Sequence, residues 1–157
     1  MLCFHDFDIE EVRVPESVEI IGCYAFEGCK NLKKVIFAKN SQLREIGIDA
    51  FRGCSSLKRI SLPESIEEIP QGCFYKSGLE EIVIPRNVKK ISSGNSYSSA
   101  FSNCENLRSV VFEQGSELTE ISKYTFYECK SLKNICLPDK LRKIGKYAFS
   151  ETGLTDV

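Results

Sequence analysis

The sequence predicts a mainly β solenoid of about six coils, each ~23 residues long. Three observations predict it. A phrase of the form Leu-x-x-Ile-x-Leu-Pro recurs along the chain, a shorter phrase follows each full copy, and a small residue with a phenylalanine closes each unit.

The first phrase reads IEEVRVP from Ile9, LKKVIFA from Leu32, LKRISLP from Leu57, LEEIVIP from Leu79, LRSVVFE from Leu107 and LKNICLP from Leu132. These starts define coils one to six; a further copy, LTDV, begins at Leu154. The wording is closest between CSSLKRISLP (54–63) and CKSLKNICLP (129–138), which agree at seven of ten positions. The second phrase is VEIIG, LREIG, IEEIP, VKKIS, LTEIS and LRKIG, starting at Val18, Leu43, Ile66, Val88, Leu118 and Leu141. Those starts are 25, 23, 22, 30 and 23 residues apart. The phenylalanine row is Phe4, Phe26, Phe51, Phe74, Phe101, Phe126 and Phe149, seven of the ten in the chain.

Such a period is too short for a helix pair. It suits a strand, a turn, a second short strand and a turn that carries the phenylalanine. One such coil cannot bury its apolar side alone, so the core exists only as an array. In Leu57-Lys58-Arg59-Ile60-Ser61-Leu62 the apolar positions point inward while Arg59 and Ser61 point outward. Six stacked first strands predict a parallel sheet about 29 Å long. Pro15, Pro63, Pro85 and Pro138 mark strand ends, where a lost donor is tolerated. In the second strands the acidic pair Glu67-Glu68 falls beside the basic pair Lys89-Lys90 of the next coil. Opposite charges across neighbouring strands favour that register by about 0.2–1 kcal/mol each.

The pattern C-x-x-L-x-x-I-x-L-P-x-x-L-x-x-I-G-x-x-A-F resembles the BspA-like class of leucine-rich repeats over nearly the whole chain. The resemblance implies a leucine-rich repeat array with its parallel sheet on a concave face and the short second strands and turns opposite. It also implies kinship with surface proteins of oral and gut bacteria and of anaerobic protozoa such as trichomonads, many implicated in adhesion. The chain reads as one repeat domain over 1–157, beginning and ending mid-coil.

Chemistry is harder to find. Three residues beyond the phenylalanines runs the row Phe7, Cys29, Cys54, Ser77, Cys104, Cys129 and Thr152. We expect a ladder of free, buried thiols, since cysteine is a good small core residue. Cys29–Cys54 and Cys104–Cys129 are the pairs near enough in the array to merit a disulfide check. Zinc is not expected, because no C-x-x-C pair occurs and ligands on successive coils would form a line. The single histidine, His5, falls at a variable polar position and reads as an exposed loop residue. No nucleophile–base constellation and no phosphate-loop spacing occur, so neither enzyme activity nor a cofactor is expected. A net charge of −1 argues against a nucleic-acid surface. No apolar run is long enough for a membrane helix, and the acidic start lacks the pattern of a secretory signal.

What remains is recognition. One outward row reads Arg13, Ile36, Ser61, Val83, Val111 and Cys136, apolar or thiol-bearing at four of six positions. Flanked by polar residues such as Arg59 and Glu81, it is the candidate stripe for a protein partner. β-Propensity alone also explains valine and isoleucine there. A second candidate is the stretch Ser92–Ser99, eight residues between Ile91 and Ala100 where coil six has three between Ile144 and Ala148. Its Gly94, Asn95 and Tyr97 form an expected contact or hinge loop. Two functional classes stay open: a surface adhesion or host-interaction module, favoured by the resemblance, and an intracellular scaffold, favoured by the free cysteines and the missing signal. Uncapped ends fit either a segment of a longer array or ends covered by a second copy; with the long loop, the second predicts a homodimer, through strand edges or a domain swap.

Overall fold

The computed structural model describes residues 8–94 and 98–155. The expectations for Cys3, Phe4, His5, Phe7, Asn95 and Tyr97 lie outside the described residues. Four strands of four residues come from the first phrase: β1 (Glu11–Val14), β3 (Lys34–Phe37), β6 (Glu81–Ile84) and β8 (Ser109–Phe112). Six of two residues come from the second: β2 (Ile20–Ile21), β4 (Glu45–Ile46), β5 (Glu68–Ile69), β7 (Lys90–Ile91), β9 (Glu120–Ile121) and β10 (Lys143–Ile144). All their pairings are parallel, with identical repeat positions in register: Val12 on Val35, Ile82 on Val110, Ile69 on Ile91, Ile144 on Ile121. The side-chain period of two sends alternate residues in. Ile82 and Ile84 are buried while Val83 between them is exposed.

The first strands do not form the continuous sheet expected of them. They make two pairs, β1–β3 and β6–β8, and the corresponding segments of coils three and six stand outside both. These are the coils that carry the twin phrases. Their outward residues are Ser61 and Cys136, where the laddered coils have Arg13, Ile36, Val83 and Val111. Serine and cysteine give a cross-strand neighbour little to pack against, whereas Arg13 and Ile36, or Val83 and Val111, cover one another. The second strands run as β5-β7-β9-β10, with β2–β4 apart.

The third side of each coil is the phenylalanine turn. Rings of Phe26, Phe51, Phe74, Phe101, Phe126 and Phe149 stack in order, with centroids 5.3, 5.6, 5.4, 5.5 and 5.4 Å apart and planes within 11°. Phe51, Phe74, Phe101 and Phe126 have no accessible surface. Backbone bonds follow the spine. Phe26, Phe51, Phe74, Phe101 and Phe126 each donate N–H to a carbonyl of the next coil, for example Phe51 to Cys73 at 2.9 Å and Phe126 to Ala148 at 2.8 Å. Intervening N–H groups close turns within the coil, as from Cys29 to Phe26 O.

Two left-handed residues frame most of these turns. Two places before the phenylalanine stand Tyr24, Asp49, Gly72, Tyr124 and Tyr147; two places after stand Gly28, Gly53, Lys76, Asn103, Glu128 and Glu151, all with φ between 55° and 72°. A non-glycine residue there costs roughly 1–2 kcal/mol, which the ring stacking and inter-coil bonds offset.

A residue placed mid-spine touches rings on both sides. Phe74→Ala should therefore cost about 3–5 kcal/mol in urea denaturation. Phe149→Ala, removing a half-buried ring with one described stacking neighbour, should cost less. Equal costs would argue against a cooperative spine.

Candidate interaction surface

The outward row of the first strands takes shape as the register requires. Arg13 pairs with Ile36, and Val83 pairs with Val111. Val83 and Val111 are 47% and 49% exposed, high for valine in a paired strand. Arg13, Ser61 and Cys136 are exposed too, while Ile36 is half-buried. Ser61 and Cys136 share the row but not the ladder.

Several charges around this row are matched in pairs. Arg59 Nε lies 2.6 Å from Glu81 Oε1, Lys58 Nζ 2.6 Å from Glu80 Oε1, and Arg86 Nη2 2.9 Å from Glu64 Oε2. Glu80 also pairs with Arg108. The Lys58 hydrogen bond, with Arg108 beside it, holds the Glu80 carboxyl below its ordinary range. On the second strands Lys89 meets Glu67 at 2.9 Å, Lys90 meets Glu68 at 3.1 Å and Lys143 meets Glu120 at 2.9 Å, the charge register read from the sequence. Such exposed pairs fix register more than they add stability.

Surface depressions gather where ladders are interrupted. One of about 310 Å³ lies between coil three and β6, lined by Arg59, Ser61, Glu81 and Val83 among others. A second of about 310 Å³ lies between coil three and β3, with Ile36 and Ser61 in its lining. A third, about 220 Å³, includes Phe112, Cys136 and Leu137, at the coil-six interruption. The gap between β4 and β5 holds one of about 600 Å³, lined by Arg44, Ile46, Glu67 and Glu68 among others.

The cysteine row is a hydrogen-bonded ladder of free thiols among the described residues. Cys54, Cys104 and Cys129 donate from Sγ to the carbonyls of Phe26, Phe74 and Phe101, at 3.1, 2.9 and 3.2 Å. Ser77 fills its turn in the row with Oγ 3.4 Å from Cys104 Sγ. Thr152 donates to Phe149 O at 2.8 Å. The slot therefore selects a small donor, which explains why thiol and hydroxyl alternate in it. Burial pushes the Cys54 thiol up to about 12 and Cys104 to about 11, and raises Cys73 and Cys129 as well. These are poor nucleophiles.

Gly94 is buried rather than projecting: a Cβ there would stand 2.3 Å from Gln71 Nε2. At the other end of the insertion Ser99 is buried and donates to Lys123 O at 2.7 Å. Both flanks of the long stretch are thus packed into the array. One buried acid escaped the sequence reading. Asp49 Oδ1 has no hydrogen-bond partner among the described residues, and Arg52 Nη1 is 3.9 Å away. Burial raises its carboxyl above the ordinary range, against the pull of Arg52. Gly72 of the next coil makes room for it, since a Cβ there would lie 2.0 Å from Oδ1. Among the described residues no group of three or more His, Cys, Asp or Glu is placed to hold a metal ion, and no helix is long and apolar enough to cross a membrane.

The family profile described as "BspA type Leucine rich repeat region" matches in six copies, over residues 1–97 and 92–157. The chain belongs to this family. The BspA-type array is similar to a leucine-rich cell surface protein of Faecalibacterium prausnitzii: TM-score 0.79, 29% identity, covering 98% of this chain and 41% of that one. It is also similar to a leucine-rich repeat protein of Bacteroides ovatus, with TM-score 0.69 and 29% identity over 95% of this chain and 43% of that one. The pneumococcal vaccine antigen PcpA matches at TM-score 0.50 and 27% identity, over 91% of this chain and 28% of that one. The BspA-type array thus spans less than half the length of these solved relatives. No curated protein matches it.

Two outcomes follow from the thiol ladder. Iodoacetamide on the native protein should modify Cys136 and spare Cys29, Cys54, Cys73, Cys104 and Cys129 until urea is added, as peptide mass spectrometry would show. Stability should also fall in alkali. With the ordinary thiol value at 9.0 and the folded value of Cys54 about 12, the unfolded chain loses its proton first. Above the unfolded value the native state binds more protons, so stability drops by about 1.4 kcal/mol per pH unit for each such thiol. Urea midpoints that stay level from about pH 8 to about pH 10.5 would contradict this.

Proposed function

We propose that this chain is a protein-interaction module of a cell-surface protein, acting in adhesion through the outward face of its first strands. The observation that carries the reading is the paired, exposed Val83 and Val111 beside a rim of ion-paired residues such as Arg59 and Glu81. Solvated strands favour polar residues at such positions, and an apolar row with a polar rim suits a partner's surface. Arg13, Ile36, Arg59, Ser61, Glu81 and Cys136 complete the proposed face, which is the concave side of the array in this reading. The likeness to a cell surface protein and to a vaccine antigen supports a surface location. The intracellular scaffold is the competing class.

Self-association belongs to the same reading. Ile144 in coil six is 48% exposed, whereas Ile121, its neighbour in register, is fully buried. A second copy of the chain is the proposed cover for that surface. Light scattering after size exclusion should show a dimer whose population grows with concentration; a monomer at every concentration would remove it.

Surface biotinylation of intact source cells should label the protein, and a cytoplasmic control should stay unlabelled. A partner captured by cross-linking there should lose binding at least tenfold to the double variant Val83→Glu, Val111→Glu. Both sites are exposed, so the variant should lose about 1 kcal/mol or less per site in stability. Full binding by a folded double variant would remove this face from consideration.

A further inference from the structure

We propose that Asp49 is a proton-operated latch between coils two and three: protonated, its side chain stays closed over Gly72, and on ionising it moves out and loosens the turn. The inference is independent of the interaction-module reading.

The geometry begins at one repeat position. Two places before the phenylalanine, Tyr24 and Tyr147 are exposed, and Tyr124 stacks on Tyr147 at 5.2 Å. Asp49 holds the same position with the same left-handed backbone, yet it is only 5% exposed. Phenols turn outward there and the carboxyl turns inward. Gly72, its equivalent in coil three, makes this possible. It is buried and left-handed at φ 63°, and its missing Cβ leaves the space that Oδ1 occupies. No donor among the described residues reaches that oxygen. A buried, ionised carboxylate without its hydrogen bonds is costly, and the neutral acid is far less so.

Neighbouring charges do not compensate. Arg52 Nη1 is 3.9 Å from Oδ1, but the guanidinium is shared. Its Nε lies 3.5 Å from Glu27 Oε1 in coil one, and its centre lies 5.2 Å from the ring of Tyr75 in coil three. Glu27 opposes the ionised form of Asp49. The Cys73 thiol beside the site is itself raised by burial and stays protonated. Lys76 is engaged over the Tyr75 ring at 5.2 Å. Burial therefore outweighs Arg52 and lifts the Asp49 carboxyl above its ordinary value of 3.8.

The second, independent observation is where the carboxyl sits. Coils two and three share no ladder on either strand side. Turn bonds are among their main ties: Asp49 N–H to Gln71 O at 3.1 Å, Phe51 to Cys73 O at 2.9 Å and Gly53 to Tyr75 O at 2.8 Å. Asp49 makes the first of these, so a change in its side chain acts directly on a tie. A native state that holds this proton to higher pH than the unfolded chain is favoured in acid. The contribution is complete below 3.8 and is lost as pH rises through the folded value.

Asp49→Asn keeps the shape and removes the charge. Urea midpoints of the two proteins should be close at about pH 4 and apart at about pH 7, with the Asn variant the more stable at neutral pH. Amide exchange should locate the difference. At neutral pH the amides of Asp49, Phe51 and Gly53 should exchange faster in the wild type than in the Asn variant, by up to about tenfold for each pH unit separating the folded value from the ordinary one. Those of Phe74 and Phe101, which tie later junctions, should match. Followed by carbon NMR, the Asp49 carboxyl of the wild type should titrate with a midpoint above 3.8. Gly72→Ala would place a methyl group 2.0 Å from Oδ1 and expel the carboxyl, so in that background Asp49→Asn should make no pH-dependent difference. If the alanine variant fails to fold, the carboxyl titration decides. A midpoint at or below 3.8, an Asn variant that loses ground to the wild type as pH rises, or a difference spread evenly over all junctions would each overturn the proposal.

Discussion

Everything in this molecule is hung on the stacked phenylalanines. A ring that meets its counterpart at 5.3–5.6 Å in coil after coil sets a common rise for the array. With that rise fixed, N–H groups of one turn reach carbonyls of the next, and thiols or hydroxyls three residues on reach the phenylalanine carbonyls. The strand sides inherit their spacing from this edge. That is why coil three can lose its first-strand ladder and still keep Leu57, Ile60 and Leu62 buried.

The array was readable in the sequence because its constraints are periodic. Leu57, Leu79 and Leu107, or Phe51, Phe74 and Phe101, recur since each must cover the same residue of its neighbour. Charge register was readable for the same reason: Glu67-Glu68 beside Lys89-Lys90 states a pairing that Coulomb attraction then fulfils. What could not be read was departure from the average coil. Nothing in Arg59-Ile60-Ser61-Leu62 breaks the inward–outward alternation, so the missing ladder is invisible to pattern. Its only trace is a small outward residue, Ser61 or Cys136, where the laddered coils carry larger ones. The left-handed turns were also missed. Gly28, Gly53 and Asn103 hinted at them, but Tyr24, Tyr124 and Glu128 in the same conformation did not. Asp49 escaped because its burial depends on a cavity made by Gly72 one coil away.

The candidate surface divides along similar lines. The outward valines were legible as an exception to polarity at exposed positions, since register makes them neighbours. The clefts beside Ser61 arise from distances between backbones, which composition does not encode.

The junction between coils two and three has a mechanical meaning. Its first strands are unladdered, and β4 and β5 share no ladder either. Its main-chain ties include Asp49 to Gln71, Phe51 to Cys73 and Gly53 to Tyr75, all on the phenylalanine side. A stack tied along one edge flexes about that edge. The rings act as the pivot, and the strand side opens or closes like the pages of a book along its spine. Between coils one and two, and between four and five, ladders run along both strand sides; between three and four, and five and six, they run along the second strands alone. Among the described coils this junction alone has no ladder on either strand side, so bending of the stack is expected there first.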